Sequence, residues 1–155
     1  MPRNELAATT SAFATTNLQV GMWAIEAERI ADGRARIGLD TDHKSIPNEL
    51  GVLNKAVHMN KGCYRGQETV AKVFNLGHPP RRLVLLHFDG SSVDIPSTGE
   101  AVIYEGKEIG FVGSVARHYE LGPIALAVIK RMTPGDAQLE AGGIAANQEI
   151  LVPID

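Results

Sequence analysis

The residue type best suited to chemistry is a single thiol, Cys63, the only cysteine of the chain. It lies in Lys61-Gly62-Cys63-Tyr64-Arg65-Gly66, a glycine-punctuated turn running into Gln67–Leu76. That stretch reads as a helix with Val70, Val73 and Phe74 on one face and Gly77 as its stop. A thiol just ahead of a helix start sits near free N–H donors and partial positive charge. Lys61 and Arg65 add formal charge, and cysteines in electropositive, accessible settings are the reactive ones. Gly62 and Gly66 let the backbone turn tightly and approach a ligand. Gln67 and Glu68 open the helix, where an acid is also good local electrostatics. A second reading stays open on spacing alone and carries more weight there: a lone cysteine is often a small buried apolar residue.

Other residues that could do chemistry are less organised. His43, His58, His78, His87 and His118 show no paired metal-ligand spacing and have no companion cysteines, so no metal site is expected. No phosphate loop or dinucleotide glycine pattern is present. Lys72, Arg81 and Arg82 form a basic cluster that could meet an anionic ligand tail or RNA phosphate, or simply be a solvated rim. Arg117-His118-Tyr119 closes a strand and faces either a ligand or solvent. Trp23, the lone tryptophan, is expected in the core.

The elements that must position these groups follow from local pattern. Pro2–Phe13 reads as a helix with nothing before it to pack against. Met22–Ile30 reads as a second, opened by Gly21 and closed by Asp32-Gly33. Arg36–Asn48 reads as an extended loop. Val52–Asn60 fits either a strand or a helix end, with Ala56–Met59 favouring a strand. His78-Pro79-Pro80 stops the helix at Gln67–Leu76 and marks an internal boundary. Beyond it the pattern is β: Arg82–Phe88, Ala101–Tyr104, a hairpin tip at Glu105-Gly106-Lys107, Ile109–Val115, Ile124–Ile129 and Glu149–Val152. Five or six short strands with Gly- and Pro-marked turns predict a small antiparallel barrel or sandwich. Gly110 and Gly113 within a strand predict a bulge or a close backbone approach.

The bulk numbers bound the class. The 155 residues are 44% hydrophobic and 21% charged, an ordinary globular composition outside the regime of disorder. A net charge of −3 supplies no global field for nucleic acid or anionic membrane. The apolar runs are too short to span a bilayer, and no apolar signal core follows the N-terminus. One cysteine forms no internal disulfide, which fits a cytoplasmic setting.

Lys61-Gly62-Cys63-Tyr64-Arg65-Gly66-Gln67-Glu68 matches, without a gap, the Lys-Gly-Cys-(Tyr/Phe)-x-Gly-Gln-Glu signature of the YgfZ-type folate-binding proteins, relatives of the glycine cleavage T-protein. Trp23–Ile30 with Gly33 and Gly38-Leu39-Asp40 resembles the family's helix and loop ahead of that signature. Pro47-Asn48-Glu49 resembles its Pro-x-Glu step. Arg81-Arg82-Leu83 and Gly110–Ser114 resemble the opening and central hairpin of the C-terminal barrel. T-proteins usually carry a non-cysteine residue where this chain has Cys63, and an Arg in the helix start where it has Ile25 after Gly21. Both departures favour the YgfZ branch over aminomethyl transfer.

The resemblance implies an α+β fold: residues 1–80 as the C-terminal part of a T-protein-like folate-binding α/β lobe, and 81–155 as a small antiparallel β-barrel. Family members are longer, their N-terminal half supplies much of the folate pocket, and Met1-Pro2-Arg3 resembles an internal stretch. The implied cofactor is tetrahydrofolate or a derivative. The implied function is support of iron–sulfur cluster assembly or repair, with an indirect effect on tRNA modification. Folate and iron–sulfur proteins are the implied partners, with no direct nucleic-acid or membrane binding. Cys63 is then the functional thiol, Lys61 and Arg65 supply charge, Tyr64 stacks, and Gln67 and Glu68 hydrogen-bond or start the helix. Two alternatives stay open: a folate-dependent aminomethyltransferase, and a non-catalytic folate-sensing or docking module.

Overall fold

The computed structural model describes residues 1–91 and 94–154. One 3-10 turn, Arg3–Glu5, leads into α1 (Leu6–Ala14), and neither contains a buried residue. Then come α2 (Met22–Ala31), the single-turn α3 (Leu53–Ala56) and α4 (Gln67–Leu76). Six strands follow: β1 (Arg81–Phe88), β2 (Ala101–Tyr104), β3 (Lys107–His118), β4 (Gly122–Lys130), β5 (Leu139–Ala141) and β6 (Ile144–Ile150). All pairings are antiparallel, and the order β1-β4-β3-β2-β5-β6 closes into a barrel through β6 against β1. Closure leaves no free edge along the ring.

The apolar runs of β1 and β4 are continuous because both of their faces are covered. Val84, Leu86 and Phe88 of β1 and Ala125, Ala127 and Ile129 of β4 point into the barrel. Leu83 and Leu85, with Ile124, Leu126 and Val128, point outward and pack with Ala27 and Ile30 of α2 and with Val152. The register that pairs Leu83 with Val128 and Val84 with Ala127 keeps both sets in step. Helix α2 is therefore the outer layer over one wall.

Several sequence expectations change. The segment from Ala56 to Met59 is not a strand; α3 ends at Ala56, Val57 is extended without joining a sheet, and a turn follows. With the ring closed, no strand edge is free to pair with it. The final strand starts at Ile144, five residues before Glu149, and β5 precedes it. No strand precedes β1 among the described residues, so the region before the barrel is helices and loops. Trp23 is not core but 87% exposed. It continues the Ala27/Ile30 stripe one turn further back and lines open cavities beside Val115 and Ala116 of β3 instead of packing into the wall. Phe74, expected on the buried face of α4, is half exposed, and only Val70 of that helix is buried.

The close approaches expected at the strand glycines are present. A Cβ on Gly110 would lie 2.0 Å from the Val128 carbonyl oxygen. The β3–β4 register shifts between Val112 and Val115, around Gly113.

Candidate functional site

The Lys61–Glu68 segment folds as an irregular turn into α4. Gly66 is the N-cap, at φ +80°, a left-handed backbone that side chains rarely adopt. The turn is held by Gln67 N donating to Tyr64 O at 3.2 Å and Val70 N donating to Gly66 O at 3.1 Å. This geometry divides the sequence-selected residues. Lys61, Tyr64 and Arg65 line a cleft of about 580 Å³, together with Gly66, Thr69 and Val70. Cys63, Gln67 and Glu68 do not line it. Cys63 is exposed, not a buried apolar residue. Tyr64 is half-buried, carries the Lys61 ammonium 5.7 Å from its ring centroid, and reaches Met59 Sδ at 3.9 Å.

The facing wall is the loop His43–Pro47, and Ala56 and Val57 complete the lining. That loop is braced from behind by Arg81, the first residue of β1. Its guanidinium donates to Asp42 at 2.7 and 3.0 Å and to Glu49 at 2.9 Å from two nitrogens. Asp42 also accepts from Lys44 N and Ser45 Oγ, each at 2.9 Å, forming a local turn. Glu49 is 1% exposed and accepts from Ile46 N at 3.3 Å. Hydrogen bonds from Arg81 hold the Asp42 carboxyl well below the usual carboxylate range, and the same bonds, donated to Asp42 and Glu49, push the Arg81 guanidinium up.

The basic cluster of the sequence is therefore not a single solvated rim. Arg81 and Arg82 are consecutive strand residues and point to opposite faces. Arg82 is fully buried at the barrel end, donating to Arg131 O, Thr133 O and Gln148 Oε1. Burial, with Arg131 nearby, lowers its proton affinity. Only Lys72 of the three is exposed.

A second polar node lies between α2 and β3. Asp40 is fully buried and accepts from Arg36 N at 2.7 Å, Ser114 N at 2.5 Å and Ser114 Oγ at 2.9 Å. Arg29 of α2 donates to Asp40 at 3.3 Å and to Ser114 Oγ at 2.7 Å. The node ties the helix layer and the loop before the cleft to the barrel. At the far end of β3, His118 Nδ1 accepts from the N–H groups of Glu120 and Leu121, each at 3.2 Å. Its Nε2 faces Glu28 at 3.5 Å. His118 thus serves the α2–β3 junction, whereas Arg117 and Tyr119 line a second cavity of about 450 Å³ beside Trp23. Among the described residues no cluster of three or more His, Cys, Asp or Glu is arranged to hold a metal ion. No helix among them is long and apolar enough to cross a membrane.

Sequence reading missed the His43–Pro47 wall and its brace. The available signal was Asp42 two residues before Lys44 and three before Ser45, a turn-forming spacing. Its Arg81 partner, 39 residues away, leaves no local trace.

No family model matches the chain. Among curated proteins, it is 29% identical over 113 residues to the chloroplastic Arabidopsis thaliana protein named Putative transferase At1g60990. That match spans 69% of this chain and 25% of the relative. Among solved structures, it superposes on the glycine cleavage system aminomethyltransferase T of Bartonella henselae with a TM-score of 0.75 at 19% identity. The superposition covers 97% of this chain and 43% of that one. The chain thus spans a quarter of the curated relative and under half of the aminomethyltransferase, and over that part it has the T-protein fold.

Proposed function

We propose that this chain is part of a tetrahydrofolate-binding protein of the YgfZ branch, in which residues 1–80 contribute to the folate lobe and 81–155 form the barrel. Lys61, Tyr64 and Arg65 contact the bound folate; Gln67 and Glu68 shape the helix start beside it; Cys63 is the functional thiol. The protein supports assembly or repair of iron–sulfur enzymes in the cytoplasm and affects tRNA modification through them. The observation that carries the reading is the uninterrupted Lys61–Glu68 signature, with Lys61, Tyr64 and Arg65 on the wall of a ligand-sized cleft and an exposed thiol on the same turn. The T-protein fold is consistent with a folate ligand.

The test is the activity of an iron–sulfur enzyme in cells lacking the gene, restored with wild type or with Cys63→Ala. Rescue by wild type alone supports the reading. Equal rescue by both moves the non-catalytic folate module ahead.

The fold of the aminomethyltransferase favours a second reading, a folate-dependent one-carbon transferase. Methylene-tetrahydrofolate formation from an aminomethyl-lipoyl carrier by the gene product would establish it.

A further inference from the structure

The cleft beside α4 has an unusual charge balance. Lys61 and Arg65 stand on one wall and Lys44 on the other, while no carboxylate lines it. The chain as a whole carries a net charge of −3, so this concentration of positive charge is local. The ion pairs of the described residues engage none of these three cations. The acids nearest the loop wall, Asp42 and Glu49, are both spent on Arg81. One guanidinium offsets one of these two carboxylates, and the three cations of the lining outweigh the other, so the local balance stays positive. The floor is apolar, with Ile46, Val57 and Val70 on the lining. A site of this size and mixture suits a ligand with an apolar body and more than one anionic group.

We propose that the cleft between the loop His43–Pro47 and α4 binds a polyanionic tail through Lys44, Lys61 and Arg65, with the apolar floor under the ligand's body. The anionic groups are carboxylates or phosphates spaced along a flexible chain. On the folate reading above, on which only this last identification rests, they are the carboxylates of a γ-linked oligoglutamate extension. Ligand affinity then rises with the number of anionic groups and falls with salt, because exposed cations are screened.

The experiment is calorimetric titration of the 155-residue protein with tri-γ-glutamate, tripolyphosphate, and tetrahydrofolate with one or several glutamates. Titrations run at about 20 and about 200 mM salt, which bracket strong and weak screening. Binding of at least one free polyanion is expected. Lys61→Gln, Arg65→Gln and Lys44→Gln should each weaken it about tenfold, the scale of one lost charge-assisted hydrogen bond. Lys72→Gln, which removes the same charge outside the cleft, should leave it unchanged. All four positions are exposed, and thermal melts identify any variant that does not fold.

Binding of tri-γ-glutamate with a tail-length dependence of folate affinity supports the proposal together with the folate reading. Binding of tripolyphosphate alone, sensitive to the same three variants, supports the polyanion site with phosphate as its source and counts against the oligoglutamate. Tetrahydrofolate binding that ignores tail length and the three cations overturns the proposal and spares the folate reading. Failure of both free polyanions to bind, or equal weakening by Lys72→Gln, overturns it as well.

Discussion

Gly113 is fitted to Asp40: a Cβ at Gly113 would lie 2.2 Å from Asp40 Oδ1 and 3.0 Å from its Cα. The strand can carry the Asp40–Ser114–Arg29 node only because that side chain is missing. Relief would require backbone movement in the loop, since a backbone atom is among those met. Gly113→Ala is expected to destabilise by about 2–3 kcal/mol, in the upper part of the range for overpacking. Urea denaturation would show it as a lower midpoint at unchanged slope.

Asp40→Ala removes the buried acid instead and leaves Arg29 and the Ser114 N–H without it. About 3–5 kcal/mol is expected, the scale of breaking a buried ion pair from one side. Asp40→Ala should relieve much of the clash introduced at Gly113, so the double variant should lose clearly less than the sum of the two. Additive losses would show that Asp40 and Gly113 are not coupled in this way.

How much of this was legible depends on where the physical cause lies along the chain. The strands around Leu83–Phe88 and Ile124–Ile129 were readable because burial of both faces writes a continuous apolar run. Strand β6, Ile-Ala-Ala-Asn-Gln-Glu-Ile, carries Gln148 on the same face as Ile144 and Ala146, where it meets Arg82, so no apolar alternation marks its start at Ile144. The burial of Asp40 leaves no local trace, because its partner Ser114 is 74 residues away and a lone Asp in a loop looks solvated. The division within Lys61–Glu68 was equally hidden. Which side chains of an irregular turn face inward depends on dihedrals such as the left-handed Gly66, and only residue types are visible in sequence. Trp23 is hidden for a related reason: it has the right spacing to Ala27 and Ile30, but spacing does not show that the space between it and Val115 stays open.

The Arg81 brace gives an acid signature. The carboxyl of Asp42 is lowered in the folded state, so its contribution to stability is complete above the unfolded value of about 3.9 and is lost as pH falls below it toward the folded value. Wild-type melting temperatures should therefore drop below about pH 4, and Asp42→Asn should flatten that part of the profile while lowering the plateau near neutrality. A variant profile parallel to wild type would show that the Asp42–Arg81 pair does not carry the linkage.

Arg81→Met tests the same brace from the other side. It leaves Glu49, 1% exposed, without its cation, and a loss of about 3–5 kcal/mol is expected. The loop His43–Pro47 should become more open, because Asp42 and Glu49 no longer tie it to β1. Limited proteolysis should then cut at Lys44 under conditions in which wild type is spared.

Trp23 is the only tryptophan, and it is exposed on the first turn of α2. Its fluorescence should be red-shifted and freely quenched by acrylamide in the folded chain, changing little on unfolding. Trp23→Ala should alter stability by no more than about 0.5 kcal/mol, as for surface substitutions away from special features. A blue-shifted, quencher-resistant emission would mean that the α2 face is covered in solution.

Cys63 separates the thiol from the cleft. It is exposed and is not among the residues that line the cavity holding Lys61, Tyr64 and Arg65. A disulfide reagent should modify it stoichiometrically in the native protein, with no denaturant needed. Attachment of a small uncharged group such as methylthio should leave polyanion binding within about twofold, since a surface change away from the contacts costs no more than about 0.5 kcal/mol. A methylthio adduct that abolishes binding would show the thiol turning into the cleft when ligand is present. The Cys63→Ala variant would then identify whether the bulk or the lost thiol is responsible, because alanine removes the sulfur without filling the space.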